Sequence, residues 1–200
     1  MRNLFAAAIV LAAGSIAAAD ITHSLVPVDN SAVWGDDGLS SDYYTFDLVV
    51  TMSNTDDWTS TFADAVLTGP GSVFYQHALG GDVPNPAFWP TFPALEYDSF
   101  WSAPNFGTPG FAGAVVVTDT EMSATWFDTE VNEDISFTAA RYTIFIPDPS
   151  VGVVGTISGT STARNTGGDL IPFSFDIAVP APSTAALLGL GGLVGVRRRR

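Results

Sequence analysis

The chain has no cysteine. No disulfide can staple the fold, and thiol catalysis and cysteine-based metal sites are excluded. Lysine is also absent, and positive charge is confined to seven arginines. Arg2 lies at one end, and Arg197, Arg198, Arg199 and Arg200 close the other. Only Arg141 and Arg164 serve the middle. Two arginines against 21 acidic residues leave residues 20–178 with a net charge of −19, beyond the −14 of the whole chain. Such a surface repels nucleic acid and anionic membranes. It also resists self-association at low salt, and high salt or Ca²⁺ would screen that repulsion.

Histidine is nearly missing too. His23 and His77 stand alone, outside any HxH or HExxH arrangement, and no GxSxG elbow is present. Histidine-dependent hydrolysis therefore lacks its signatures. No catalytic residue is expected, and both histidines are expected at the surface or at a sheet edge. Carboxylate pairs are abundant, so each is weak evidence. Glu96 and Asp98 are expected two apart on one face of a strand, a spacing a glycosidase could use. A solvated strand face explains them as well.

A sustained 3.6-residue period is missing from residues 20–178. Period two replaces it. Tyr44, Phe46, Leu48, Val50 and Met52 alternate with mostly polar neighbours, as do Met122, Ala124 and Trp126. Tyr142, Ile144 and Ile146 repeat the pattern, and so do Ile171, Phe173, Phe175 and Ile177. Residues 151–162 suit a further strand. Weaker strand candidates are 21–28, 62–68, 72–77, 95–101 and 114–118. Glycine, proline, asparagine and aspartate punctuate these runs as turn signals. Nine or ten short strands in about 160 residues predict one all-β domain, an antiparallel β-sandwich with a jelly-roll as one candidate topology.

Residues 79–93 break the rhythm with four prolines and are expected to form a long loop carrying Phe88, Trp89 and Phe92. Packing over a sandwich end is the plain expectation for these rings. A ligand platform built from Phe88, Trp89 and Trp58, the last expected exposed in a turn, is the alternative. It would suit a carbohydrate-binding module, by fold-level analogy alone. Trp126 is expected in the core. No cofactor is expected. A structural Ca²⁺ on Asp128, Glu130, Glu133 and Asp134 is conceivable from the oxygen content of that loop. Asp36–Asp37 and Asp56–Asp57 are similar pairs, and none matches EF-hand spacing.

The two ends carry a different message. Met1-Arg2-Asn3 precedes an apolar run and then Ala17-Ala18-Ala19 before Asp20. A basic start, a short apolar core and an A-x-A site predict a secretory signal peptide over residues 1–19, cut between Ala19 and Asp20. At the other end, Pro180-Ala181-Pro182 precedes the apolar run AALLGLGGLVGV and the four terminal arginines. Those twelve residues reach about 18 Å as a helix, short of a hydrocarbon core of about 30 Å. The prolines block extension toward the N-terminus, and the arginines can snorkel. A marginal, transient membrane segment with a cytoplasmic arginine end follows.

This tail resembles the PEP-CTERM sorting signal of Gram-negative bacteria, in which a Pro-Glu-Pro motif precedes a short membrane stretch and a basic cluster. The resemblance covers residues 179–200. Pro180 and Pro182 match the two prolines, and Ala181 replaces the glutamate. It implies processing by signal peptidase and by an exosortase-like membrane peptidase. It also implies a cell-surface or matrix destination and an association with extracellular polysaccharide. The expected function is a non-enzymatic structural or adhesive surface protein.

Overall fold

The computed structural model describes residues 21–52, 58–128, 136–164 and 168–179. Among them the chain is all-β, with short 3₁₀ turns and no α-helix. The strands in chain order are β1 (Ile21–Val28), β2 (Tyr43–Met52), β3 (Trp58–Leu67), β4 (Val73–Phe74), β5 (Phe100–Trp101) and β6 (Gly110–Phe111). They continue as β7 (Val116–Val117), β8 (Glu121–Phe127), β9 (Ser136–Phe145), β10 (Val153–Ala163) and β11 (Ile171–Ala178). One sheet runs β1-β2-β9-β4, with β5 also on β9. The other runs β11-β10-β3-β8-β6, with β7 also on β8. Every pairing is antiparallel.

The alternation read from the sequence sets the layers. Phe46, Leu48, Val50 and Met52 of β2 are buried, as are Tyr142 and Ile144 of β9. They meet Ala63 and Ala65 of β3, Met122, Ala124 and Trp126 of β8, and Ile157 of β10 in one core between the sheets. Without disulfides, stability rests on this burial, worth about 1.5–3 kcal/mol for each large side chain removed from water.

The open side of the two sheets is closed by the first strand and the last two. His23 of β1 lies over Phe173 of β11, ring centroids 4.5 Å apart. Its Nε2 shares a 2.9 Å hydrogen bond with Ser161 Oγ of β10, and that hydroxyl bonds Thr61 Oγ1 of β3 at 2.7 Å. His23 is therefore an edge residue, half-buried between the sheets.

Close backbone packing leaves no room for a side chain at two glycines of β10, Gly155 and Gly159. A Cβ on Gly159 would lie 1.9 Å from the Phe62 carbonyl oxygen and 2.8 Å from Phe173 Cζ. Backbone cannot yield as a flexible side chain does. Gly159→Ala is expected to destabilise the fold by about 1–3 kcal/mol. Urea unfolding would show this as a lower midpoint at unchanged slope.

The expected strand at 95–101 is a correction. Pro93–Tyr97 forms a 3₁₀ turn, and only Phe100–Trp101 pairs as a strand. Proline at the first position presets the turn and has no N–H for a ladder. Glu96 and Asp98 therefore do not share a strand face. The weaker strands at 72–77 and 114–118 shrink to two residues each.

Candidate functional site: the loop layer over one sheet

The outer face of the β1-β2-β9-β4 sheet alternates toward polar residues, which predicts exposure. Instead Thr45, Asp47, Arg141 and Thr143 on that face are buried. Segments 29–42 and 75–108 fold over them as a third layer. Val33, Leu39, Tyr75, Ala94 and Tyr97 form its own small apolar cluster.

Arg141 fastens this layer. Its Nε donates to Asp47 Oδ1 at 2.7 Å and its Nη2 to Asp47 Oδ2 at 2.8 Å, a bidentate pair between cross-strand neighbours. Nη1 donates to the Glu96 carbonyl at 2.6 Å, in the 3₁₀ turn above. The guanidinium lies 5.6–5.8 Å from the ring centroids of Tyr97, Phe100 and Phe106. Arginine suits this place because its planar fork serves two acceptors and its faces serve rings at once. Nearby, Thr45 and Thr143 share a 2.8 Å hydroxyl bond, and Ser99 Oγ donates to the Thr143 carbonyl at 3.1 Å.

The Pro-rich loop is held at its base by Asp98 and His77. Asp98 Oδ1 accepts the backbone N–H of His77 at 2.8 Å and of Ser99 at 3.0 Å. Burial pushes this carboxyl up to about 7, although the N–H groups that bond it pull the other way. The chain passes so close that a Cβ on Gly80 would lie 1.8 Å from Asp98 Oδ2. His77 accepts the Leu79 N–H on Nδ1 at 2.9 Å and pairs with Asp37 through Nε2. That tautomer ties the turn at Asp37 to the loop.

A groove of about 460 Å³ runs beside this base, with Asp98, Phe100, Asn85, Phe106 and Thr108 among its lining. Asn105 and Phe106 both adopt positive φ, 57° and 54°. Such backbone costs about 1–3 kcal/mol per residue and persists only where packing holds it. Trp89, edge-on to Phe106 at 5.2 Å, supplies part of that packing, as does Arg141. The arrangement offers one carboxyl able to exchange a proton near neutrality. Its hydrogen-bonding partners are backbone N–H groups, the pattern of a structural clasp.

The residues singled out by sequence divide as follows. Trp58 is a correction: it opens β3, is 2% exposed, packs on Phe137 and donates to Thr61 Oγ1. Its ring faces the core and offers no platform. Phe88 is 51% exposed and Trp89 half-buried, both in the loop layer. Asp128 follows β8, while Glu130, Glu133 and Asp134 lie outside the described residues, as do Asp56 and Asp57. Among the described residues, no group of three or more His, Asp or Glu side chains converges as metal ligands. Ala17, Ala19, Asp20, Pro180, Ala181, Pro182 and Arg197 to Arg200 also lie outside them. No helix among the described residues is long and apolar enough to cross a membrane. The sequence reading missed Arg141 and Asp47, although a lone arginine inside an alternating strand was the available signal.

No family model matches the chain, and no curated protein matches it.

Proposed function

We propose that this chain is an exported, non-enzymatic β-sandwich protein of the cell surface or extracellular matrix, with a structural or adhesive role. One observation carries the reading. The first described strand begins at Ile21 and the last ends at Ala178. These strands lie between the expected signal-peptide site at Ala19–Asp20 and the Pro180-Ala181-Pro182 motif. A basic start with an A-x-A site on one side, and a proline motif, apolar run and arginine cluster on the other, are the pattern expected of addresses to be removed. The net charge of −19, from two arginines and 21 acidic residues, supports a body kept soluble outside the cell and away from anionic lipid.

Intact-mass spectrometry of the protein from culture supernatant and from membrane fractions tests this. A species starting at Asp20 and ending near Pro180 is expected outside the cell. Recovery only of a species retaining Arg200 in membranes would make the protein a permanently anchored one. A cytoplasmic species retaining Met1 would overturn export altogether.

The exposure of Phe88 favours a second reading, a carbohydrate-binding module that uses aromatic side chains.

A further inference from the structure

The two sheets differ in what covers them. The loop layer buries the outer face of one, whereas no segment among the described residues folds over the outer face of the other, β11-β10-β3-β8. Register places its side chains in rows. Ser174, Ser158, Asp64 and Ser123 lie side by side across the four strands. The next row is Pro172, Thr160, Phe62 and Thr125. Neighbouring strands stand about 4.8 Å apart, and alternate residues along a strand about 6.8 Å. The face is thus a grid of hydroxyls with the Phe62 ring at its centre and the half-buried Phe127 of β8 in the next row with Ser60. Phe62 is 42% exposed, although it sits on a central strand. Beside it, Asp64 contributes a half-buried carboxylate to the face.

We infer that this face binds an uncharged polysaccharide, with a sugar ring stacked on Phe62. The inference deepens the carbohydrate-binding reading and moves it from the loop aromatics to the open sheet. The charged groups in these rows are the carboxylates of Asp64, Asp176 and Glu121, the latter two in the adjoining row with Thr156 and Val66. Anionic polymers are therefore repelled. Phe62, Val66, Pro172 and the half-buried Phe127, set among hydroxyls and carboxylates, give too little apolar surface for a protein partner, whose interface needs a desolvated centre. A neutral glycan meets the chemistry offered. Its apolar C–H face covers the ring, and its hydroxyls donate to carboxylates and exchange bonds with Ser and Thr.

Affinity electrophoresis of the mature protein, residues 20–179, tests it with neutral cellulose, chitin and mannan derivatives as probes and alginate as the anionic comparison. At least one neutral polymer is expected to retard wild type, and alginate not. Phe62→Ser is expected to weaken retardation about tenfold or more, which corresponds to about 1.4 kcal/mol. Its melting temperature should stay near wild type, since the ring is exposed. Ser158→Val, an exposed change suited to a strand, should weaken it too. Phe88→Ser should leave it unchanged. No retardation by any neutral polymer, or equal retardation of wild type and Phe62→Ser, overturns the inference. Loss in Phe88→Ser alone returns the site to the loop layer. Sedimentation of wild type as a dimer lost in Phe62→Ser would make the face a self-contact instead. Export is judged separately by the mass measurement, so failure of one leaves the other standing.

Discussion

Arg141→Met is expected to destabilise the fold by about 3–5 kcal/mol. The change leaves the Asp47 carboxylate buried with only Thr138 Oγ1 donating to it, at 3.2 Å. It also strips the donor from the Glu96 carbonyl and the cation from three rings. The melting temperature should fall by roughly 6–20 °C, at the 2–4 °C per kcal/mol usual for this size. Because the pair is buried, added salt should change the deficit little. Asp47→Leu/Arg141→Met should recover much of the loss, since removing both charges ends the desolvation penalty. Circular dichroism melts of the three proteins decide this. If Arg141→Met melts with wild type, the loop layer is held by its apolar cluster and not by the ion pair.

The second large effect concerns pH, and it is hidden in the wild type. Burial pushes His23 down from 6.5 to about 4. Between those values the unfolded chain binds the extra proton, so this group makes stability rise with pH. Burial pushes Asp98 up from 3.8 to about 7. Over that window the folded chain binds the extra proton, so this group makes stability fall as pH rises. At about 1.4 kcal/mol per pH unit the effects are on the order of 3 kcal/mol for His23 and 4 kcal/mol for Asp98. Their windows nearly coincide, and their signs oppose. Asp29 and Asp148, held below the usual range by bonds from Ser31 and Ser150, act only in more acid solution. The melting temperature of wild type is therefore expected to change little between about pH 4.5 and 6.5. Asp98→Asn should melt higher as pH rises through this range. His23→Gln should melt lower. Parallel profiles for all three proteins would show that neither buried group titrates differently on folding.

Much of the core was legible because its cause is local. The inward faces of β2, β8 and β9 repeat every second residue, and the pleat makes that repeat a layer. The loop at residues 79–93 was legible for the same reason, since prolines withhold N–H groups from a ladder. What failed was non-local. Leu95, Tyr97 and Trp101 fall on one face of an alternating pattern, yet Pro93 commits the chain to a turn, Tyr97 packs against Arg141 and Trp101 joins the core. Trp58 follows polar turn residues, but register with Ala163 puts it at the head of β3 and under cover. Thr45 and Asp47 read as solvent-facing because nothing nearby in sequence tells that residues 29–42 and 75–108 return to cover them. The grid around Phe62 needed the pairing of four strands before its rows existed at all.

The seam at His23 and Phe173 sets a timetable. The residues that close it are about 150 positions apart in the chain, so the last edge of the body forms only after β11 is available. Structures dominated by such distant pairings fold slowly, in milliseconds to seconds. Under the proposed export, the N-terminus emerges first and β11 last, directly ahead of the proposed sorting tail. The body then stays unfinished while its final strand is in transit, and release and completion of the fold become neighbouring events.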